Sequence, residues 1–191
     1  MKPILFTTDM VRAILEGRKT VTRRQVKPQP PAGVTRLEHG AAPGRWRSPG
    51  KDVWVEIRAP YQPGDILWVR ETWAHPSRTE IDAGTDPEFY LYKADRLHAA
   101  AWDKWHPSIH MPREAARIFL RVTGVRAERL REMASDDVFM EGVFPTSSAE
   151  NIWDRWRFVW DRTIRPKDRA TYGWDANPWV WVIEFERIRK P

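Results

Sequence analysis

The chain is 191 residues long, which suits one medium-sized domain with a substantial core. Its 32 Lys and Arg against 26 Asp and Glu leave a formal charge of +6, so an anionic partner fits, although a solvated surface mixing Arg129 with Glu132 and Asp154 with Arg157 gives the same total. The lack of cysteine excludes disulfides and Cys-based zinc sites and suits a reducing compartment; metal chemistry is not expected.

At the N-terminus Lys2 and Pro3 precede only Ile4-Leu5-Phe6, too short for the apolar core of a signal peptide, and no apolar run approaches the ~18 residues of a membrane span. A soluble, cytoplasmic protein with no membrane partner is the expectation. Thr7 or Thr8 can cap a helix whose apolar residues Met10, Val11, Ile14 and Leu15 recur at helical spacing, with Asp9 near its positive end. Gly17 can then take a positive φ at little steric cost, so the helix stops and the chain leaves through Val21-Thr22-Arg23-Arg24 in extended form. Alternation along that strand points Thr22 and Arg24 the same way. Lys19, in the turn, has the opposite parity and joins them only if the turn reorients it.

Residues 27–64 are rich in proline and glycine, from Pro28 to Gly64, and predict an irregular excursion containing one short strand, Asp52 to Arg58, through Val53, Val55 and Ile57. Pro63-Gly64-Asp65 marks a turn into a strand from Ile66 to Trp73. A second excursion, 74–112, carries a predicted strand at Phe89-Tyr90-Leu91-Tyr92. His106 and His110 are four apart, but Pro107 and Pro112 oppose a helix, so they read as loop histidines rather than a metal pair. Nor does a nucleophile elbow surround Ser108.

From Arg117 to Leu130 the set Ile118, Leu120, Val122 and Val125, broken at Gly124, predicts a bent or bulged strand. Ser135 can cap a short helix through Met140, with Gly142 just past Glu141. A carboxylate at a helix C-terminus opposes the dipole, so Glu141 calls for a basic partner, and Lys19 is the nominee. Ser148 opens a longer helix with the face Ile152, Trp153, Trp156, Val159 and Trp160; this is core, as for most of the 12 tryptophans, rather than a comb for stacking bases. A final strand runs from Trp179 to Ile188. Strands of varied spacing with irregularly placed helices predict a single α+β domain over 1–191, built on a small, mostly antiparallel β-barrel with flanking helices and two long excursions.

Gly17-x-Lys19-x-x-Thr22-x-Arg24, Pro63-Gly64-Asp65 before a strand, and Leu130…Asp136-Asp137…Glu141-Gly142 together resemble the ASCH domain family of the PUA-like barrel superfamily. The stretches 2–24, Leu67 to Trp73, Pro107 to Arg113 and Asn177 to Val182 are similar to ASCH-like proteins encoded by bacteriophages and prophages. Short bacterial members include amidohydrolases that deacylate N4-acetylcytidine with a lysine, a threonine and a glutamate. The resemblance therefore implies Lys19, Thr22 and Glu141 as catalytic residues, with Glu132 as the rival for the third place, and no cofactor. This chain is much longer than those enzymes, so its excursions can reshape or close the pocket.

Hydrolysing an acyl-cytosine needs a nucleophile, donors for the oxyanion and a proton for the departing amine. If Lys19 is the base, burial must lower its pKa toward neutrality, while an ionised Glu141 beside it holds the proton on. If Glu141 is the base, a charged Lys19 is free to stabilise the oxyanion as Thr22 attacks or aligns a water, and the electrostatics favour this assignment. The plain alternative is a surface Lys–Glu pair beside a strand threonine. Arg24, Arg70, Glu71, Trp73 and Arg113 are candidates for substrate binding, through guanidinium contacts to phosphate or carbonyl and stacking of a base, against barrel ion pairing and packing. The expected partner is a modified cytosine nucleoside or nucleotide. An RNA-binding PUA-like module without chemistry is the alternative from another class, and ribonuclease activity ranks below both.

Overall fold

A computed structural model of the chain describes residues 1–34, 36–39, 46–47, 54–55, 57–76, 81–82, 84, 89–95 and 104–191. In chain order its main elements are β1 (Lys2–Leu5), α1 (Thr8–Leu15), β2 (Val21–Gln25), β3 (Glu38–His39), β4 (Trp46–Arg47), β5 (Trp54–Val55), β6 (Ile66–Arg70), β7 (Trp73–Ala74), β8 (Leu91–Tyr92), β9 (Phe119–Arg129), α2 (Ser135–Met140), α3 (Ile152–Arg162), α4 (Arg169–Tyr172) and β10 (Trp179–Ile188). Helices and a mixed, mostly antiparallel sheet of order β1-β6-β9-β10-β2 make the chain α+β. Among the described residues no helix is long and apolar enough to cross a membrane.

The residues fall into two compact units, each assembled from separated segments. The first takes Met1–Gly17, Ile66–Arg121 and Arg187–Pro191; the second takes Arg18–Asp65 and Val122–Glu186.

In the first unit β1 runs parallel to β6, Lys2 opposite Leu67, and β6 pairs antiparallel with the start of β9, Leu67 opposite Leu120. Ile4, Leu67, Val69 and Leu120 are buried along these strands, and α1 buries Val11, Ala13 and Ile14, close to the face that the helical spacing predicted. Thr7 is the N-cap, although its side chain makes no cap hydrogen bond. The strand expected to run from Ile66 to Trp73 stops at Arg70. The reason is Glu71: its N–H donates to Met111 Sδ (3.1 Å) and its buried carboxylate takes the Arg117 fork. Trp73 then starts β7, which pairs with β8, so the strand expected over 89–92 narrows to Leu91–Tyr92.

In the second unit β2 is antiparallel to β10, with Val21, Arg23 and Gln25 opposite Glu184, Val182 and Val180. Opposed residues share a face of the sheet. On that face Val21, Val180 and Val182 pack with Val138 of α2 and with Trp156 and Trp160 of α3, which confirms the tryptophan face of α3 as core. The helix begins at Ile152 rather than Ser148. Asn151 caps it by accepting the Trp153 N–H (2.8 Å), while Glu150 folds back on the Thr146 N–H and hydroxyl and ties the preceding residues into a turn. Ala134, not Ser135, is the N-cap of α2, and Asp137 accepts the Ala134 N–H (3.0 Å).

β9 runs through Gly124 without interruption. A Cβ there would lie 2.7 Å from Glu184 Oε2, so the glycine answers to a close side-chain approach rather than to a break. Within the 27–64 excursion β3, β4 and β5 form a three-stranded antiparallel sheet that the composition did not suggest. Of the strand expected over 52–58, Trp54–Val55 is observed, and residues 52, 53 and 56 lie outside the described set.

Candidate active site

The Gly17 turn forms as its sequence requires. Gly17 has φ +75° and its N–H donates to the Ile14 carbonyl (3.1 Å), closing α1. In the second unit the next residues meet the C-terminus of α2 through the main chain: Lys19 bridges Glu141, and the Thr20 N–H donates to the Met140 carbonyl (3.0 Å). Glu141 is the C-cap of α2, and Gly142 follows with φ +78°.

These backbone contacts bring the side chains together. Lys19 Nζ donates to Glu141 Oε2 (2.6 Å), to the Glu141 carbonyl (2.9 Å) and to the Val21 carbonyl (2.7 Å), so all three ammonium protons have acceptors. The Lys19 side chain is 0% exposed and that of Glu141 1%, which rules out a surface pair. Arg23 takes the other carboxylate oxygen, Nη1 lying 3.3 Å from Glu141 Oε1. The rest of its guanidinium binds Glu128 Oε1 through Nε (2.9 Å) and Nη2 (2.7 Å), and Nη2 also lies 3.2 Å from Asp137 Oδ2. Arg126 closes the cluster, with Nε 3.2 Å from Glu128 Oε2 and an ion pair to Glu184.

Burial decides the lysine's protonation. It pulls the Lys19 pKa down from 10.5 to about 8; Glu141 opposes this, while Arg24 and Arg23 add to it. A neighbouring carboxylate was expected to hold the proton on, but loss of water outweighs one paired carboxylate. Arg23 goes the other way: burial pulls it down, but Glu141, Glu128 and Asp137 together raise it above the usual range. Arg24 is lowered by burial, with Glu141 and Tyr61 partly offsetting.

No family model, curated protein or solved structure matches the chain.

Of the three residues implied as catalytic, Lys19 and Glu141 meet. Thr22 is 1% exposed and lies opposite Ile183, on the reverse face of β2 from Arg23. Arg24 shares that face opposite Trp181, as alternation predicted, and is near enough to Lys19 and Glu141 for their charges to act on one another. Glu132, the rival, is exposed and accepts the Arg129 N–H (3.0 Å) instead.

The other four candidates belong to the first unit. Arg70 donates to the Ile109 carbonyl and lies 5.4 Å from the Trp68 ring centre. Glu71 takes both Arg117 nitrogens, at 2.9 and 3.0 Å. Trp73 is buried, stacked on His106 (4.8 Å) and met edge-on by His75 and Tyr90, so its ring is already engaged. Arg113 is exposed, with Nη2 3.7 Å from Met1 Sδ. His106 pairs with Trp73 through the main chain, and no group of three possible metal ligands occurs among the described residues.

Sequence reasoning missed Arg23, Glu128 and Asp137. Two signals were available. Adjacent arginines on a strand must face opposite ways, so Arg23 had to find acids on the core side, and Asp137 sits four residues before Glu141, on the same side of α2.

Proposed function

We propose that the protein is an amidohydrolase that removes the acyl group from N4-acylated cytosine nucleosides or nucleotides, on a PUA-like barrel of the ASCH type. One observation carries the reading: a buried lysine that hydrogen-bonds the carboxylate and the carbonyl of a buried glutamate, with burial drawing its pKa down from 10.5 to about 8. Groups whose pKa is shifted by desolvation beside a specific charge partner cluster at functional sites.

In this reading Lys19, neutral above its pKa, removes the Thr22 hydroxyl proton as the oxygen adds to the acyl carbon. Collapse of the tetrahedral adduct breaks the carbon–nitrogen bond, the Lys19 ammonium returns the proton to the departing N4 amine, and water then cleaves the threonine ester. Arg24, on the face of Thr22, stabilises the oxyanion. Glu141 orients the lysine, because its two oxygens are already engaged by Lys19 and Arg23. With the Lys19 side chain 0% exposed, turnover requires local opening that uncovers Nζ.

The test is an ultraviolet assay of N4-acetylcytidine with the purified protein and with Lys19→Ala, Thr22→Ala and Glu141→Ala, each checked for folding by circular dichroism. Loss of at least ~100-fold in each folded variant is expected, in the range that general-base or nucleophile removal costs. Full turnover in folded Lys19→Ala or Thr22→Ala ends the reading. The rate should rise with pH through a midpoint of about 8, where Lys19 loses its proton.

RNA binding without chemistry is the second reading. The observation favouring it is Phe158, 52% exposed with Arg155 and Arg162 at 5.8 and 5.3 Å from its ring centre, an aromatic-and-arginine surface of the kind that holds single strands. Salt separates the two, because phosphate binding weakens steeply with ionic strength and turnover of a neutral nucleoside does not.

A further inference from the structure

We propose that Arg23, a residue outside the Lys19-Thr22-Glu141 set, is the positioning residue of this site: by holding Oε1 of Glu141 it directs Oε2 onto the Lys19 ammonium. The kinetic half of this inference rests on the amidohydrolase reading; the structural half does not.

Glu141 ends a helix, where the dipole repels a carboxylate, and the terminal torsion of a glutamate is soft. Left to Lys19 alone, the group has no reason to keep one orientation. Here two cations take different oxygens, Lys19 Nζ at 2.6 Å from Oε2 and Arg23 Nη1 at 3.3 Å from Oε1, so the carboxylate plane is set. Arg23 is itself immobile: its side chain is 0% exposed and is held by Glu128 of β9 and Asp137 of α2. Arg126 of β9 ties those two acids together and also pairs with Glu184 of β10. The charged groups acting on Lys19 are Glu141 from the end of α2 and Arg23 and Arg24 from β2.

Arg23 therefore acts on Lys19 twice, directly as a nearby cation and indirectly by sharing the glutamate. Without it the lysine loses the repulsion of that cation and would keep its proton to higher pH. An arginine whose charge did not reach the lysine would leave that titration where it is.

The experiment follows the Lys19 side chain by NMR from pH 6 to 11 in the full chain and in Arg23→Gln and Arg23→Lys, with Lys19→Met assigning the signal and thermal melts confirming folding. In Arg23→Gln the Lys19 pKa should rise by about one pH unit, and the acid limb of acyl-cytidine hydrolysis should move with it, a tenfold loss of rate below the limb. Arg23→Lys restores the charge without the fork and should return most of both. An unchanged Lys19 titration in folded Arg23→Gln overturns the inference. If that variant does not fold, Arg23→Lys decides: a smaller rise supports positioning, and none refutes it. If the wild-type protein hydrolyses no acyl-cytidine, the Lys19 titration still tests Arg23, and only the amidohydrolase reading fails.

Discussion

Glu71 in the first unit and Glu141 in the second are both 1% exposed, and both are held by cations, yet they create opposite chemistry. Glu71 faces one arginine in a two-pronged grip. Arg117 keeps 27% of its side chain exposed, binds Asp95 at 2.6 Å and lies 3.8 Å from the Tyr92 ring centre. Burial draws its pKa down, but Glu71 and Asp95 raise it well above the ordinary value. Burial raises Glu71, with Arg117 opposing, and pushes Tyr92 up to about 12. Arg117 therefore keeps its charge at any ordinary pH. Around Glu141 the cation is instead a lysine that has lost its water and sits beside Arg23 and Arg24, so it titrates at about 8. One buried carboxylate thus gives a permanent clamp or a proton switch according to its partner, because a guanidinium holds its proton where an ammonium releases it.

Breaking the second cluster should have the largest effect. Glu141→Ala at pH 6 leaves a charged Lys19 buried without its carboxylate, and urea denaturation should show a loss of about 3 kcal/mol or more. The loss should shrink at pH 10, where the lysine is neutral; a pH-independent loss would contradict the switch.

The wild-type protein supplies the next test. Lys19 is lowered in the folded chain, so between about 8 and 10.5 the unfolded chain carries a proton that the folded chain does not. Stability contributed by this site therefore rises with pH across that window, by about 1.4 kcal/mol per pH unit, and is absent below it. Denaturation of wild type against Lys19→Met across the window measures it, and parallel pH curves would refute it.

Glu71→Gln sharpens the contrast from the other side. Arg117 keeps Asp95 and partial solvent contact, so the expected loss is about 1–3 kcal/mol, with acyl-cytidine turnover unchanged. The smallest effect on stability belongs to Thr22→Val, which keeps the branched shape of a single buried side chain: the melt should move by about 1 kcal/mol equivalent or less while turnover disappears. Retained turnover would remove Thr22 from the mechanism.

Much of the fold was legible. The alternation of Trp179 to Ile188 marks β10 to the residue, and the Gly17 and Gly142 stops are where positive φ occurs. The position of Glu141 at a helix C-terminus calls for a cation, and Lys19 supplies it. Other features were not legible, because the groups that decide them are distant in sequence. Arg117 ends β6 by drawing Glu71 out of it, from 46 residues away, and Glu128 fixes Arg23 from 105 away.

By itself the sequence determined the periodic elements and the helix ends, since each depends on neighbours within a turn or a strand. Tertiary structure alone decided the protonation of Lys19. How much water a lysine loses depends on every segment that closes around it, and that desolvation, larger than the pull of Glu141, reverses the sign that local charge predicts.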